Sequence, residues 1–120
     1  MNANRRACIA YIAGRIITGK NSITVYDYSE SKYSSFSGTA SLQNVSVYDY
    51  QTNNHVSGTS NGNSFSLFDY SSSTYITLKI EGIKFDGFDY ESSTHYSGNV
   101  SNNSISIYDY EKGSHFNYSI

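Results

Sequence analysis

A chain of 120 residues is one domain. Apolar residues at 38% and a mean hydropathy of −0.49 argue against a large central core. Aromatics at 16% with charged residues at 15% exclude a disordered chain and a coiled coil. A net charge of −2 removes the electrostatic case for nucleic-acid binding, and a single Cys excludes a disulfide framework or a thiolate metal site.

The N-terminal segment comes first. Its apolar run, residues 7–17, is interrupted by Arg15 and falls short of the ~20 residues of a membrane-spanning helix. Arg5 and Arg6 ahead of it have the look of a signal peptide, but no cleavage site follows Gly14-Arg15. A cytoplasmic location is therefore expected, with a surface or extracellular one as the alternative. Ala13-Gly14 partly matches the repeat described next, which predicts a lone strand over residues 7–20. No segment shows helical periodicity.

The tripeptide Tyr/Phe-Asp-Tyr then recurs five times, at Tyr26-Asp27-Tyr28, Tyr48-Asp49-Tyr50, Phe68-Asp69-Tyr70, Phe88-Asp89-Tyr90 and Tyr108-Asp109-Tyr110. The spacings are 22, 20, 20 and 20 residues. The copies cover residues 22–43, 44–63, 64–83, 84–103 and 104–120. Inside each copy the period is two: Ile105, Ile107 and Asp109 point one way, and Ser106, Tyr108 and Tyr110 the other. Stretches such as Gln51-Thr52-Asn53-Asn54 have turn composition. Each copy thus predicts a strand, a tight turn, a second strand and a linker such as residues 61–63. The first copy carries two extra residues around 33–35. The third has Thr77-Leu78 where others have Ser-Gly, and its second strand, residues 76–80, alternates most strongly.

Such hairpins fit either a small closed symmetric barrel or a stacked β-solenoid. In a solenoid, the five Asp side chains would stand about 4.7 Å apart. Neighbouring carboxylates would then repel by roughly 1 kcal/mol even in water. In a ring each Asp can instead accept hydrogen bonds from its own turn. Closure also removes sheet edges. The expectation is an all-β ring of five hairpins, residues 1–120 forming a single domain.

Consecutive hairpins with Tyr-Asp at the strand end, as in Ser104-Ile105-Ser106-Ile107-Tyr108-Asp109-Tyr110 running on to His115-Phe116, resemble the β-flower proteins. The N-terminal run Ile9-Ala10-Tyr11-Ile12-Ala13-Gly14-Arg15-Ile16-Ile17 shares that likeness. It covers roughly residues 8–120, with Ser and Asn where such repeats usually carry Gly. The resemblance implies a shallow, rotationally symmetric barrel of hairpin petals, and membrane association through a broader likeness to Tubby-type barrels. The repeat is also similar to the YD repeats of large bacterial shell proteins and, in period, to curli-type units.

Three sets of side chains are candidates for function. The aromatic pairs Tyr26/Tyr28, Tyr48/Tyr50, Phe68/Tyr70, Phe88/Tyr90 and Tyr108/Tyr110 share one strand face. Aromatic faces with hydroxyl rims suit sugars or flat apolar ligands, and equally suit cross-strand packing in thin sheets. Asp27, Asp49, Asp69, Asp89 and Asp109 form the most regular polar set, fit for turn hydrogen bonding or for a ring around a hard cation. Neither a metal site nor a cofactor is predicted from them. His55, His95 and His115 occupy one repeat position, filled by Tyr75 in the third copy and Ser35 in the first. A five-fold ring does not bring them together as zinc ligands. No catalytic triad is legible, and repeat-equivalent residues argue against an enzyme.

The third copy breaks the pattern with Ile76, Leu78 and Ile80 beside Lys79, Glu81 and Lys84, which marks either an interface or drift offset by local packing. The expected function is a non-enzymatic binding or interaction module. Its partner would be a glycan, a lipid head group or a protein, and homo-oligomerisation is compatible with it. A fibre-forming structural subunit is the alternative.

Overall fold

The period-two alternation is realised as five antiparallel hairpins. In the computed structural model, which describes residues 1–120, a helix α1 (Ala3–Thr18) precedes ten strands. The first hairpin joins β1 (Thr24–Asp27) to β2 (Lys32–Ala40), and the second joins β3 (Asn44–Asp49) to β4 (Asn54–Asn61). Then follow β5 (Ser64–Asp69) with β6 (Thr74–Glu81), β7 (Lys84–Asp89) with β8 (Thr94–Ser101), and β9 (Ser104–Asp109) with β10 (Ser114–Ser119). Every strand also pairs antiparallel with its neighbour from the next hairpin. β1 meets β10 through Tyr26↔Ser119 and Asp27↔Tyr118, which closes the barrel. The ring expectation holds over the solenoid.

The turn chemistry follows the sequence. Each hairpin turn ends on one residue with positive φ: Ser31, Asn53, Ser73, Ser93 and Gly113. At the other end of the barrel the expected linkers are themselves two-residue turns, 62–63, 82–83 and 102–103. Only their first residues, Gly62, Gly82 and Asn102, have positive φ, the pattern of type II′ hairpin turns. The β2–β3 connection, 41–43, is longer. The two extra residues of the first copy lie at 34–35: Tyr33 stands opposite Tyr26 as His55 stands opposite Tyr48, and Phe36 then pairs with Asp49 as Val56 does with Asp69.

Residues 7–20 do not form a strand. Most of this segment belongs to α1, which runs through the barrel interior with Arg5–Arg15 buried on all sides. The Asn2 side chain caps its first turn by accepting from Arg5 N at 2.8 Å, and Gly19, at φ 73, ends it with N–H donating to Arg15 O at 2.9 Å. A helix buried on every side is apolar on every side and carries no amphipathic stripe. That is why no helical period shows.

The interior width explains the helix. About eight strands enclose a space that their own side chains can fill, and ten enclose more. Small residues on the plug, Ala7, Cys8, Ala10, Ala13 and Gly14, let the wall approach closely. The result is one core of 25 buried residues, including Tyr11, Ile12, Val47, Leu67, Ile76 and Ile107. This corrects the expectation of no large core: the wall is half polar, which lowers mean hydropathy, yet its inward positions are mostly apolar and the five inward Asp are hydrogen-bonded. No helix is long and apolar enough to cross a membrane.

Candidate functional site

The inward and outward residues of each Tyr/Phe-Asp-Tyr tripeptide build two different structures at the same end of the barrel. Asp27, Asp49, Asp69, Asp89 and Asp109 point inward and are buried. Each accepts from the backbone of its own turn, for example Ser29 N to Asp27 at 2.9 Å, Gln51 N to Asp49 at 2.8 Å and Ser71 N to Asp69 at 2.8 Å. Asp89 and Asp109 accept likewise from Glu91 N and Glu111 N.

The ring does enclose cations, but they belong to the chain itself. Arg5 Nη1 lies 3.3 Å from Asp69 Oδ2, its Nε 3.7 Å from Asp89 Oδ1, and its Nη2 donates to Glu91 at 3.1 Å. Arg6 Nη1 donates to Asp109 Oδ2 at 3.1 Å, and its guanidinium lies over the Phe116 ring at 3.7 Å. Asn4 Nδ2 donates to Asp49 at 2.9 Å, and the Met1 amine donates to Asp109 and Glu111. Burial pushes the Asp109 carboxyl up, but the hydrogen bond and charge of the amine, the Glu111 N–H and Arg6 together hold it below the usual carboxylate range. The helix N-terminus adds a favourable partial charge. No group of three or more His, Cys, Asp or Glu is placed to hold a metal ion. The mouth is a structural clasp.

At the far end Arg15 fastens the helix in the same manner. It donates to Gly38 O at 2.6 Å, to Asn21 Oδ1 at 2.9 Å and to the Tyr11 hydroxyl at 3.1 Å. The Tyr11 ring stacks on Phe36 with centroids 4.5 Å apart.

The aromatic residues point outward. In each hairpin a half-buried ring stands between two others, all edge to face. Tyr48 has Tyr50 and His55 against it, with centroids 4.9 Å away in both cases. Tyr26 has Tyr28 and Tyr33, Phe68 has Tyr70 and Tyr75, Phe88 has Tyr90 and His95, and Tyr108 has Tyr110 and His115. The first-copy equivalent of the histidines is therefore Tyr33, not Ser35. The two-residue insertion follows the turn instead of preceding it, which linear alignment does not reveal. Each histidine packs in its own triplet.

The triplets adjoin. Tyr70 N donates to His55 O at 3.0 Å, Tyr90 N to Tyr75 O at 3.1 Å and Tyr110 N to His95 O at 3.3 Å. Tyr50 N donates to Ser35 O and Tyr28 N to Asn117 O, which completes a belt around the barrel. Tyr28, Tyr33, Tyr50, Tyr70, Tyr75, Tyr90 and Tyr110 are each between 52% and 68% exposed, apart from Tyr75 at 51%. Shallow clefts open between triplets: about 500 Å³ beside Tyr50, 390 Å³ beside Tyr110 and 230 Å³ between Tyr75 and Tyr90.

The third copy divides between the two faces. Ile76, Leu78 and Ile80 are buried against the core and offer no interface. Lys79, Glu81 and Lys84 are exposed on the outer wall, where Lys79 Nζ and Glu81 Oε1 pair at 2.8 Å. That contact raises the lysine pKa and lowers the glutamate's. With this arrangement in view, no protein-family model, curated protein or solved structure matches the chain.

Proposed function

We propose that the protein is a non-enzymatic binding module that holds glycan chains against its aromatic belt. The supporting observation is the set of seven exposed tyrosines, each braced edge to face by a half-buried ring. Bracing fixes the ring planes before a ligand arrives, so little side-chain entropy is lost on contact. A sugar ring offers C–H groups on one face and hydroxyls at its edge. Tyrosine offers a π face and a hydroxyl, with Ser, Thr and Asn side chains of the wall alongside.

Lipid is the weaker reading. The belt end carries Glu30, Glu91 and Glu111 and the five Asp against Arg5, Arg6, Lys32 and Lys112, an acidic balance that opposes an anionic bilayer. Among the three clefts between triplets a single aliphatic side chain, Ile23 beside Tyr50, is available to insert. Five near-equivalent triplets favour repeated weak contacts along a polymer over one catalytic centre. A fibre-forming role by strand addition needs an unpaired edge, and closure supplies none. The same reading places the chain with β-flower-like hairpin proteins, supported by consecutive hairpins that close on themselves.

Affinity electrophoresis in gels containing soluble starch, hydroxyethylcellulose, xylan or galactomannan tests the proposal. Retardation is expected in at least one gel, and the triple variant Tyr50→Ser, Tyr90→Ser, Tyr110→Ser should migrate freely there. Free migration of the unmodified protein in every gel, or equal retardation of the variant, contradicts it.

A further inference from the structure

We propose a second, charged saccharide subsite on the outer wall across β6–β10, adjoining the cleft beside Tyr110, with which it shares Asp86 and Ser97. It rests on the glycan reading and names where one sugar unit would be held most firmly. One lateral row of cross-strand neighbours runs Lys79↔Asp86, Asp86↔Ser97, Ser97↔Tyr108 and Tyr108↔His115. Two hairpins earlier the matching row is Thr39↔Ser46, Ser46↔Ser57, Ser57↔Phe68 and Phe68↔Tyr75. Lys79 and Asp86 have thus replaced a threonine and a serine. One step along the strands, Glu81 and Lys84 pair as well.

These four residues are the exposed charges of the outer wall apart from Lys32 at the belt end. They gather around a depression of about 480 Å³, the place where the wall is least like its own repeats. Its lining is almost wholly polar, with Asn99 on one side and the Tyr108 ring of the fifth triplet on another.

The charges decide the ligand class. Two ammonium groups donate and two carboxylates accept, so the site has no net charge. An anion would meet Glu81 and Asp86, and a cation would meet the lysines. A neutral polyol satisfies both signs, because each hydroxyl donates one hydrogen bond and accepts others. Bonds to ionised partners are about twice as strong as neutral ones, which distinguishes this site from the serine-lined rows. Tyr108 then supplies a π face beside the polar row. Its neighbour Tyr110 belongs to the belt, so a chain lying in the depression continues onto the aromatic surface.

The test is a ¹⁵N–¹H NMR titration of the whole protein with maltotriose, cellotriose, xylotriose and mannotriose at millimolar concentration. The variants are Asp86→Ser and Lys79→Thr, which install residues the matching row already carries and so keep the strand pairing. Support is a set of amide shifts over residues 79–86, 97–99 and 106–108 with at least one trisaccharide, weakened about tenfold or more by Lys79→Thr, whose residue lines the depression and none of the belt clefts, and also by Asp86→Ser. Shifts confined to the belt tyrosines, unchanged by Lys79→Thr, overturn this subsite and leave the belt reading standing. Absence of shifts at both places, with polysaccharide gels still retarding the protein through the belt, likewise overturns the subsite alone. Absence of binding in both experiments overturns both.

Discussion

Arg6 and Asp109 lie 103 positions apart in the chain and meet in the barrel mouth, Nη1 to Oδ2 at 3.1 Å, with both side chains almost fully buried. This contact ties the plug to the last hairpin of the wall. A buried charge that loses its partner costs about 3–5 kcal/mol, whereas replacing both partners with neutral groups costs much less. Arg6→Met alone leaves Asp109 the Met1 amine as its one cationic partner and should therefore lower the urea midpoint. Arg6→Met combined with Asp109→Asn should recover a substantial part of it, because Asn retains an acceptor for the Glu111 and Lys112 amides. Strictly additive losses in equilibrium unfolding would contradict a coupled pair.

Acid should release the same clasp. The folded-state pKa values of Asp109 and Glu111 are both depressed, Glu111 chiefly through its hydrogen bond to the Met1 amine. A depressed carboxyl contributes stability above its unfolded value, about 4, and loses that contribution as pH falls through the folded value. Urea midpoints measured from pH 6 down to pH 2 should fall most steeply in the lower part of that range. Asp109→Asn should flatten the acid limb. Parallel limbs in the two proteins would mean that other groups control acid unfolding.

Cys8 reports on whether the plug leaves the barrel. Its thiol is buried, and burial, followed by the Asp49 and Asp69 charges, pushes its pKa well up against the opposing influence of Arg5. A thiol reagent at pH 8 should modify it only through opening of the barrel, at a rate with the same urea dependence as global unfolding. Rapid labelling of the folded protein would show a plug that moves independently of the wall.

Gly14 measures how tightly wall and plug fit. A Cβ there would stand 2.6 Å from Ile105 Cδ1 and 3.0 Å from Ile120 Cδ1. Overpacking typically costs about 1–3 kcal/mol, against the roughly 1 kcal/mol that Ala gains over Gly in a helix. Gly14→Ala should be destabilising overall. Ile105→Val, which removes the clashing methyl, should make the same substitution neutral or favourable in a double-mutant cycle. Independence of the two substitutions would place the helix differently.

The wall was legible because alternation by two and a recurring tripeptide are local signals. Ile105, Ile107 and Asp109 face inward, as their spacing requires. Barrel closure followed from the Asp residues, which accept from their own turns. The plug was not legible from periodicity. Its signals were of another kind: Asn2 as a cap, Gly19 as a stop, and alanines between them. The number of strands also carried it, since a wall of ten with modest inward side chains needs a filler. The belt was half legible. The pairs within each tripeptide were visible, but Tyr33 became its third member only once the insertion was located at 34–35.

The most direct test of the belt as the contact surface is hydroxyl-radical footprinting of the protein bound to the polysaccharide that retards it. Tyr50, Tyr90 and Tyr110 should lose reactivity on binding, while Leu42 and Ile83 at the opposite end react as before. Unchanged tyrosine reactivity with protection at the opposite end would contradict it.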